Sequence, residues 1–235
     1  MFLYIIRHGD PDYTTDSLIP RGRAQAMAVA QRLKDAEITK VYSSPLGRAI
    51  QTAEPTARLL GLDIGIEPWA AEVGADGYMS DFPDGQQTPI SLIQNTYFRE
   101  NGNQDLGYER AFESTGFSTS GMKQAAKIIE EGGREFLARH GYVEENGVYR
   151  IAEPNDERIA LFCHGTMGRI WISRLLHIPI NIMWAGFRYT HTGVTIMELR
   201  NNENGVTAPA MKCYSDMSHL AAAGLDMLYD GRQKI

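Results

Sequence analysis

Phe2-Leu3-Tyr4-Ile5-Ile6-Arg7-His8-Gly9 decides the fold. Five consecutive apolar residues bounded by a glycine fit a buried strand of a parallel sheet. Asp10-Pro11-Asp12-Tyr13 comes next, and a proline among turn formers ends the strand near Gly9. An arginine and a histidine are thereby delivered to the carboxyl end of a central strand, where open α/β sheets put their ligands. Taken alone, the pair could equally be polar residues leaving the sheet for solvent.

Two distant stretches repeat the pattern. Val41-Tyr42-Ser43-Ser44-Pro45-Leu46-Gly47-Arg48, running on to Thr52-Ala53, reads as a short strand, a turn and the first turns of a helix. Pro45 suits an early helical position, where its missing N–H costs nothing. Arg48, about one turn in, can reach back over the strand ends. Ile159-Ala160-Leu161-Phe162-Cys163 likewise runs straight into His164-Gly165, with a helical pattern behind it. If the three strands are parallel neighbours, Arg7, His8, Arg48 and His164 converge on one pocket, and all four are side chains suited to phosphate.

The ordered set resembles the histidine phosphatase superfamily, branch 1, also described as phosphoglycerate mutase-like. The matching residues are Arg7-His8-Gly9, Ser43-Ser44-Pro45 with Arg48 and Thr52-Ala53, Glu72, and His164-Gly165. They cover the first 77 residues and then roughly residue 158 onward. Arg-His-Gly alone is a weak signal, whereas the ordered set in strand context is a strong one. The resemblance implies an α/β fold: a three-layer α/β/α sandwich whose mostly parallel central sheet has an antiparallel edge, plus an inserted cap. It also implies a single domain over residues 1–235 with the cap insertion at about 78–157. In the family the general acid is a Glu in the region of Pro68-Trp69-Ala70-Ala71-Glu72-Val73-Gly74, and Glu72 takes that place here. Glu67, Asp76 and Asp81 are the rivals. Many members carry a phosphate-contacting Asn six residues past the nucleophile; this chain has Thr14 there.

Composition fits. With 235 residues, 43% hydrophobic and 22% charged, the chain is ordinary globular material that can bury a real core. A net charge of −6 argues against nucleic acid or an anionic membrane as partner. The longest apolar run cannot span a bilayer, and Arg7 breaks the first one before it could act as a signal peptide. Two cysteines, Cys163 and Cys213, make no disulfide framework, so a cytoplasmic location is expected. Cys163, on a buried strand, reads as a core residue. No metal-ligand spacing and no Gly-rich phosphate loop appears, so neither metal nor cofactor is expected. The expected partner is a small phosphomonoester substrate, and a homodimer is left open.

Along the chain, Arg21–Ala36 reads as a helix with Met27, Ala30 and Leu33 on its inner face and Ala26 and Val29 beside them. Arg23 is solvated on this reading, and Arg21 is a further candidate at the site mouth. Pro55 either kinks or restarts the helix begun by Arg48. Ile64-Gly65-Ile66 is a short strand. Residues 78–157 hold 14 acidic and 7 basic residues, a net of −7, so the rest of the chain is about neutral. Their first half, with Asp84-Gly85 and Asn101-Gly102-Asn103, is loop-rich. Met122–His140 is a helix with Ala126, Ile129, Phe136 and Leu137 inward, weakened at Gly132-Gly133. Asn146-Gly147 marks a type I′ hairpin. Thr166–His177 is a helix stopped by Pro179. Thr192–Leu199 and Val206–Tyr214 form an antiparallel pair at the sheet edge. His177, His191 and His219 are read as structural or solvated.

The chemistry follows from charge. A phosphomonoester dianion repels anionic nucleophiles, whereas a neutral imidazole attacks it well. His8 would form a phosphohistidine. Arg7 and Arg48 would hold phosphoryl oxygens with their fork geometry, and His164 would donate to a third oxygen. Glu72 would protonate the leaving alkoxide and then act as base on water. The leading expectation is a metal-independent phosphomonoesterase. Alternatives are a phosphoglycerate mutase-type phosphotransferase and a non-catalytic phosphate-binding module. Against the mutase, Glu72-Val73-Gly74-Ala75-Asp76 lacks the Arg, His and Tyr that follow the acid Glu in mutases of this family.

Overall fold

The structure is a computed structural model describing residues 1–81, 86–229 and 233–234, with side chains left undescribed at 75, 76, 228, 229, 233 and 234. In chain order it begins with β1 (Phe2–Arg7), the short pair β2 (Pro11–Asp12) and β3 (Ser17–Leu18), and helix α1 (Pro20–Leu33). Then come β4 (Lys40–Ser43), α2 (Gly47–Leu60) and β5 (Ile64–Ile66). The stretch from Pro68 to Glu113 holds short 3₁₀ turns around α3 (Ala75–Tyr78) and the pair β6 (Met79–Asp81) and β7 (Gln87–Pro89). Helix α4 (Met122–Arg139), the hairpin β8 (Tyr142–Glu145) and β9 (Val148–Ile151), and β10 (Arg158–Cys163) follow. The chain continues through α5 (Gly165–Leu176), α6 (Ile180–Gly186), β11 (Val194–Glu198), β12 (Val206–Thr207), β13 (Ala210–Asp216) and α7 (Ser218–Ala222). It ends in the pair β14 (Leu228–Tyr229) and β15 (Gln233–Lys234).

The chain divides into two compact units. The first comprises residues 1–72, 132–168 and 189–235, and the second residues 73–131 and 169–188. The unit boundaries fall inside α4 and α5.

The first unit is built on a six-stranded sheet of order β13-β11-β1-β10-β4-β5. The β1–β10, β10–β4 and β4–β5 pairs are parallel; β11 runs antiparallel to β1, and β13 antiparallel to β11. This is the expected parallel sheet with an antiparallel edge. Both faces of the central strands are covered, which is why they read as unbroken apolar runs and not as alternation. Tyr4 and Ile6 of β1, with Val41, Ala160 and Phe162, pack on Val29 and Leu33 of α1 and on Ala53 and Ala57 of α2. On the other face, the ring of Tyr42 meets Phe136 of α4 edge-on at 5.1 Å.

Several sequence readings are corrected here. Met27 is 54% exposed, whereas Ala26, Val29, Ala30 and Leu33 are buried as expected, joined by Gly22, Gln25 and Ala28. Helix α2 continues through Pro55 and does not restart there. Helix α4 is continuous through Gly132-Gly133, and a Cβ at Gly132 would lie 2.2 Å from the Cβ of Trp69, so the glycine admits an indole against the backbone. Helix α6, beyond Pro179, is an element the sequence reading lacked. The hairpin turn is as expected, with Asn146 and Gly147 at φ 52° and 83°.

In the second unit, Phe117 packs on Phe98 at 5.1 Å and edge-on against Trp184 at 5.7 Å. Buried Asn181 donates to the carbonyls of Asn103 and Phe98. The acidic surplus of residues 78–157 is shared between the units, and the second unit carries nine acidic and seven basic residues. The Asp84-Gly85 loop lies outside the described residues.

Candidate active site

Three parallel strands end side by side, and their last residues build the site. The His8 N–H donates to the Cys163 carbonyl at 2.9 Å, and the Ser44 N–H to the Phe162 carbonyl at 2.9 Å. The ladder thus runs one residue past β1 and β4 before the chains diverge. Arg7-His8, Ser43-Ser44 and His164 leave the sheet at one edge.

His8 is 1% exposed. Its Nδ1 lies 2.7 Å from the Gly9 carbonyl oxygen. A carbonyl only accepts, so Nδ1 carries the hydrogen and Nε2 keeps its lone pair. Burial, then the Arg7 guanidinium, with Arg48 adding to it, hold the His8 pKa well below the usual imidazole value; the Gly9 bond opposes them. The ring is therefore neutral at physiological pH. His164 is fully buried, 5.1 Å ring to ring from His8, with Nε2 2.7 Å from Ser44 Oγ. It too is held neutral, by burial first and then by His8, Arg48 and Arg7. Its Nδ1 has no hydrogen-bond partner among the described residues.

The arginines are fixed from opposite sides. Arg7 donates to the Tyr189 carbonyl. A Cβ on Gly165 would stand 3.2 Å from the Arg7 guanidinium carbon, so glycine after His164 leaves room for this cation. Arg48, on the first turn of α2, is buried and pairs with Asp16, whose other oxygen accepts the Gly47 N–H at 2.6 Å. Thr52 Oγ1 accepts the Gly9 N–H at 2.9 Å and donates to the Arg48 carbonyl at 2.7 Å, tying α2 to the turn after β1. Arg48 also lies over the Tyr13 ring at 5.4 Å.

Glu72 is half-buried and accepts the N–H groups of Thr166 and Met167 at 3.2 and 3.0 Å. Because α5 starts directly after His164, its free N-terminal N–H groups and positive dipole end hold this carboxylate beside the strand ends. The rival Glu67 is committed elsewhere. Both its oxygens lie 2.8 Å from Arg139 Nη2, and it accepts the Trp69 indole N–H at 2.7 Å. Asp81 is exposed and accepts from Gln87. The side chain of Asp76 lies outside the described residues.

The structure gathers Arg7, His8, Arg48 and His164, with Glu72 bonded to the N–H groups of Thr166 and Met167 just after His164. Thr14 is exposed, its amide turned to Asp12 Oδ1. The ring that reaches the cluster from this turn is that of Tyr13, edge-on to His8 at 6.4 Å. Arg21 pairs with Asp10. Sequence reasoning missed Asp10, Tyr13, Asp16 and His191. His191, read as a structural or solvated loop residue, is 4% exposed, with its ring 5.4 Å from that of His8. The signal was in the topology: an antiparallel strand beside β1 must begin at the end where β1 finishes. The Thr192 N–H indeed donates to the Arg7 carbonyl at 3.0 Å. His219 is structural, as expected, with Nε2 3.0 Å from Thr192 Oγ1, and burial pulls its pKa to about 4. Cys163 is fully buried and its thiol pKa is pushed up, mainly by burial. Among the described residues no cluster of three or more His, Cys, Asp or Glu is arranged to hold a metal ion, and no helix is long and apolar enough to cross a membrane.

Residues 3–83 match the family described as histidine phosphatase superfamily (branch 1). A probable phosphoglycerate mutase GpmB of Escherichia fergusonii is 26% identical, covering 96% of this chain and 98% of its own. Among solved structures, a phosphoserine phosphatase of Entamoeba histolytica in complex with phosphoserine superposes with a TM-score of 0.62 at 22% identity, over 93% of this chain and 98% of that one. A mycobacterial glucosyl-3-phosphoglycerate phosphatase gives 0.60 at 20% identity, over 92% and 99%.

Proposed function

We propose that this chain, whose residues 3–83 match the histidine phosphatase superfamily (branch 1), is a metal-independent phosphomonoesterase working through a phosphohistidine on His8. The observation that carries this reading is the state of His8: neutral, with Nδ1–H committed to the Gly9 carbonyl and Nε2 left as the nucleophile beside two guanidinium groups. Nε2 attacks phosphorus while Arg7, Arg48 and His164 take the charge of the phosphoryl oxygens. Arg48 exchanges Asp16 for a phosphoryl oxygen on binding. Glu72, in its protonated form, gives its proton to the leaving alkoxide and returns as base toward the hydrolytic water. Two arginines and a histidine neutralise the transferring group, which is the work a metal ion does elsewhere.

The substrate class is a small phosphomonoester, in keeping with the phosphorylated metabolites in the names of the structural neighbours. A mutase is the second reading, favoured by the name of the E. fergusonii relative. Against it stands the absence of the Arg, His and Tyr after Glu72, so water is the expected acceptor. The test is rapid quench with a labelled phosphomonoester. An acid-labile, base-stable phosphoenzyme should form in the wild type and not in His8→Ala, and phosphate release should outrun interconversion of 2- and 3-phosphoglycerate primed with 2,3-bisphosphoglycerate. Turnover with no such phosphoenzyme overturns the mechanism, and faster isomerisation reverses the ranking of hydrolase over mutase.

A further inference from the structure

We propose that His191 is a further phosphoryl-binding residue of this site: Asp10 accepts one of its ring N–H groups, and its other nitrogen donates to an oxygen of the phosphoryl group bound at His8. The proposal rests on the phosphomonoesterase reading above and adds a residue to its pocket.

Four observations carry it. His191 is 4% exposed, yet neither ring nitrogen has a hydrogen-bond partner among the described residues. A buried imidazole normally satisfies at least one of its nitrogens, because an unmade bond there costs the full desolvation of the group. The ring stands 5.4 Å from the His8 ring, tilted by 38°, so the two imidazoles are direct neighbours. The backbone is pinned: the Thr192 N–H donates to the Arg7 carbonyl and the Thr190 N–H to Ser215 Oγ at 2.9 Å, so the ring is held against the nucleophile. Finally, His191 Nδ1 is 3.6 Å from Asp10 Oδ1. That is too long for a hydrogen bond but close enough to become one with a small rotation. Asp10 is itself positioned, by its ion pair with Arg21 and by Gln25, whose side-chain oxygen accepts the Asp10 N–H at 2.8 Å.

The charged groups facing His191 are Arg7 and His8 from β1 and its turn, Asp10 from the same turn, and Arg21 from α1. Burial first, then Arg7, His8 and Arg21, hold the ring neutral in this structure. A phosphoryl dianion reverses that balance by favouring the charged form. With both nitrogens protonated, His191 donates to Asp10 on one side and to the phosphoryl group on the other, so oxyanion binding takes up a proton.

The test is isothermal titration calorimetry with inorganic phosphate and with orthovanadate, in buffers of different ionisation enthalpy at pH 7. The wild type is compared with His191→Leu, His191→Gln and Arg48→Ala. We expect His191→Leu to bind both anions about 10- to 100-fold more weakly, the range for a hydrogen bond to a charged group. His191→Gln keeps an N–H donor and should recover most of that loss. Both variants should take up less proton on binding than the wild type. Equal affinity of His191→Leu and wild type, equal losses in the Leu and Gln variants, or unchanged proton uptake in both would each overturn the proposal. If Arg48→Ala leaves anion binding intact, the pocket reading itself fails. If Arg48→Ala weakens binding and His191→Leu does not, only the role of His191 falls.

Discussion

The strand-end cluster and the unit formed by residues 73–131 and 169–188 are built in opposite ways. The cluster takes Arg7 from the last residue of β1, His8 and His164 from the residues directly after β1 and β10, and Arg48 from the first turn of α2, with His8 fixed by the ladder bond from its N–H to the Cys163 carbonyl. The other unit has little regular structure before α4. It is held by a few large rings, Phe98, Phe117 and Trp184, and by buried Asn181 reaching two backbone carbonyls. Regular strands hold a side chain to within fractions of an ångström because every neighbour repeats. A unit of short 3₁₀ turns relies on irreplaceable contacts, and its loops can vary in length and sequence around them. On the proposed function the chemistry belongs to the first region, and the second differs from it in how its residues are held.

That contrast can be broken most directly at His8. We expect His8→Ala to lower turnover by on the order of 10⁴–10⁶-fold, as loss of a covalent nucleophile does, with an unchanged near-UV circular dichroism spectrum. Activity retained within tenfold would mean the strand ends are not the chemical centre. Glu72 comes next. Glu72→Gln should cost roughly 10²–10⁴-fold in kcat/KM with an alkyl phosphate and far less with nitrophenyl phosphate, whose leaving group needs no proton. Equal losses with both esters would move the acid to another residue.

In the other unit, Phe117→Ala should destabilise by about 3–5 kcal/mol, the cost of emptying a buried aromatic site. Denaturant unfolding measures it. Well below the midpoint, phosphoenzyme formation with nitrophenyl phosphate should persist, and its abolition there would show that the two regions are not separable. A smaller effect is set by acid. His219 has a folded pKa of about 4 against an ordinary value of 6.5, so the unfolded state binds its proton first as pH falls. Its contribution to stability is complete above about pH 6.5 and is lost between there and about pH 4. His219→Asn should flatten the melting temperature over that window, and an unaltered slope would assign the acid sensitivity to the other buried histidines. The smallest expected effect is none: EDTA should leave turnover unchanged, and loss restored by one divalent metal would overturn the metal-free scheme.

The legibility of the sequence followed the same divide. Phe2–Ile6 and Ile159–Cys163 were readable as central parallel strands because burial on both faces leaves an unbroken apolar run. Arg7, His8 and His164 could be placed because strand ends inherit their position from the strand. Arg48 needed only the turn at Pro45. Met27 was misplaced because in an alanine-rich helix several phases of the period fit nearly as well, and packing against β1 and α2 chose among them. Helix α6 was unread because a seven-residue helix gives too little periodicity to recognise.

What the sequence determined by itself, then, is the parallel core and the side chains at its carboxyl edge, since local pattern and strand polarity suffice for both. What only the tertiary structure decided is which residues from elsewhere join them. Glu72 meets the first N–H groups of α5, Asp16 holds Arg48, and His191 stands beside His8 although 183 positions later in the chain. No local preference encodes such a meeting. For His191 it arises because β11 lies antiparallel to β1 and so starts where β1 ends, a consequence of sheet order that no window of sequence contains.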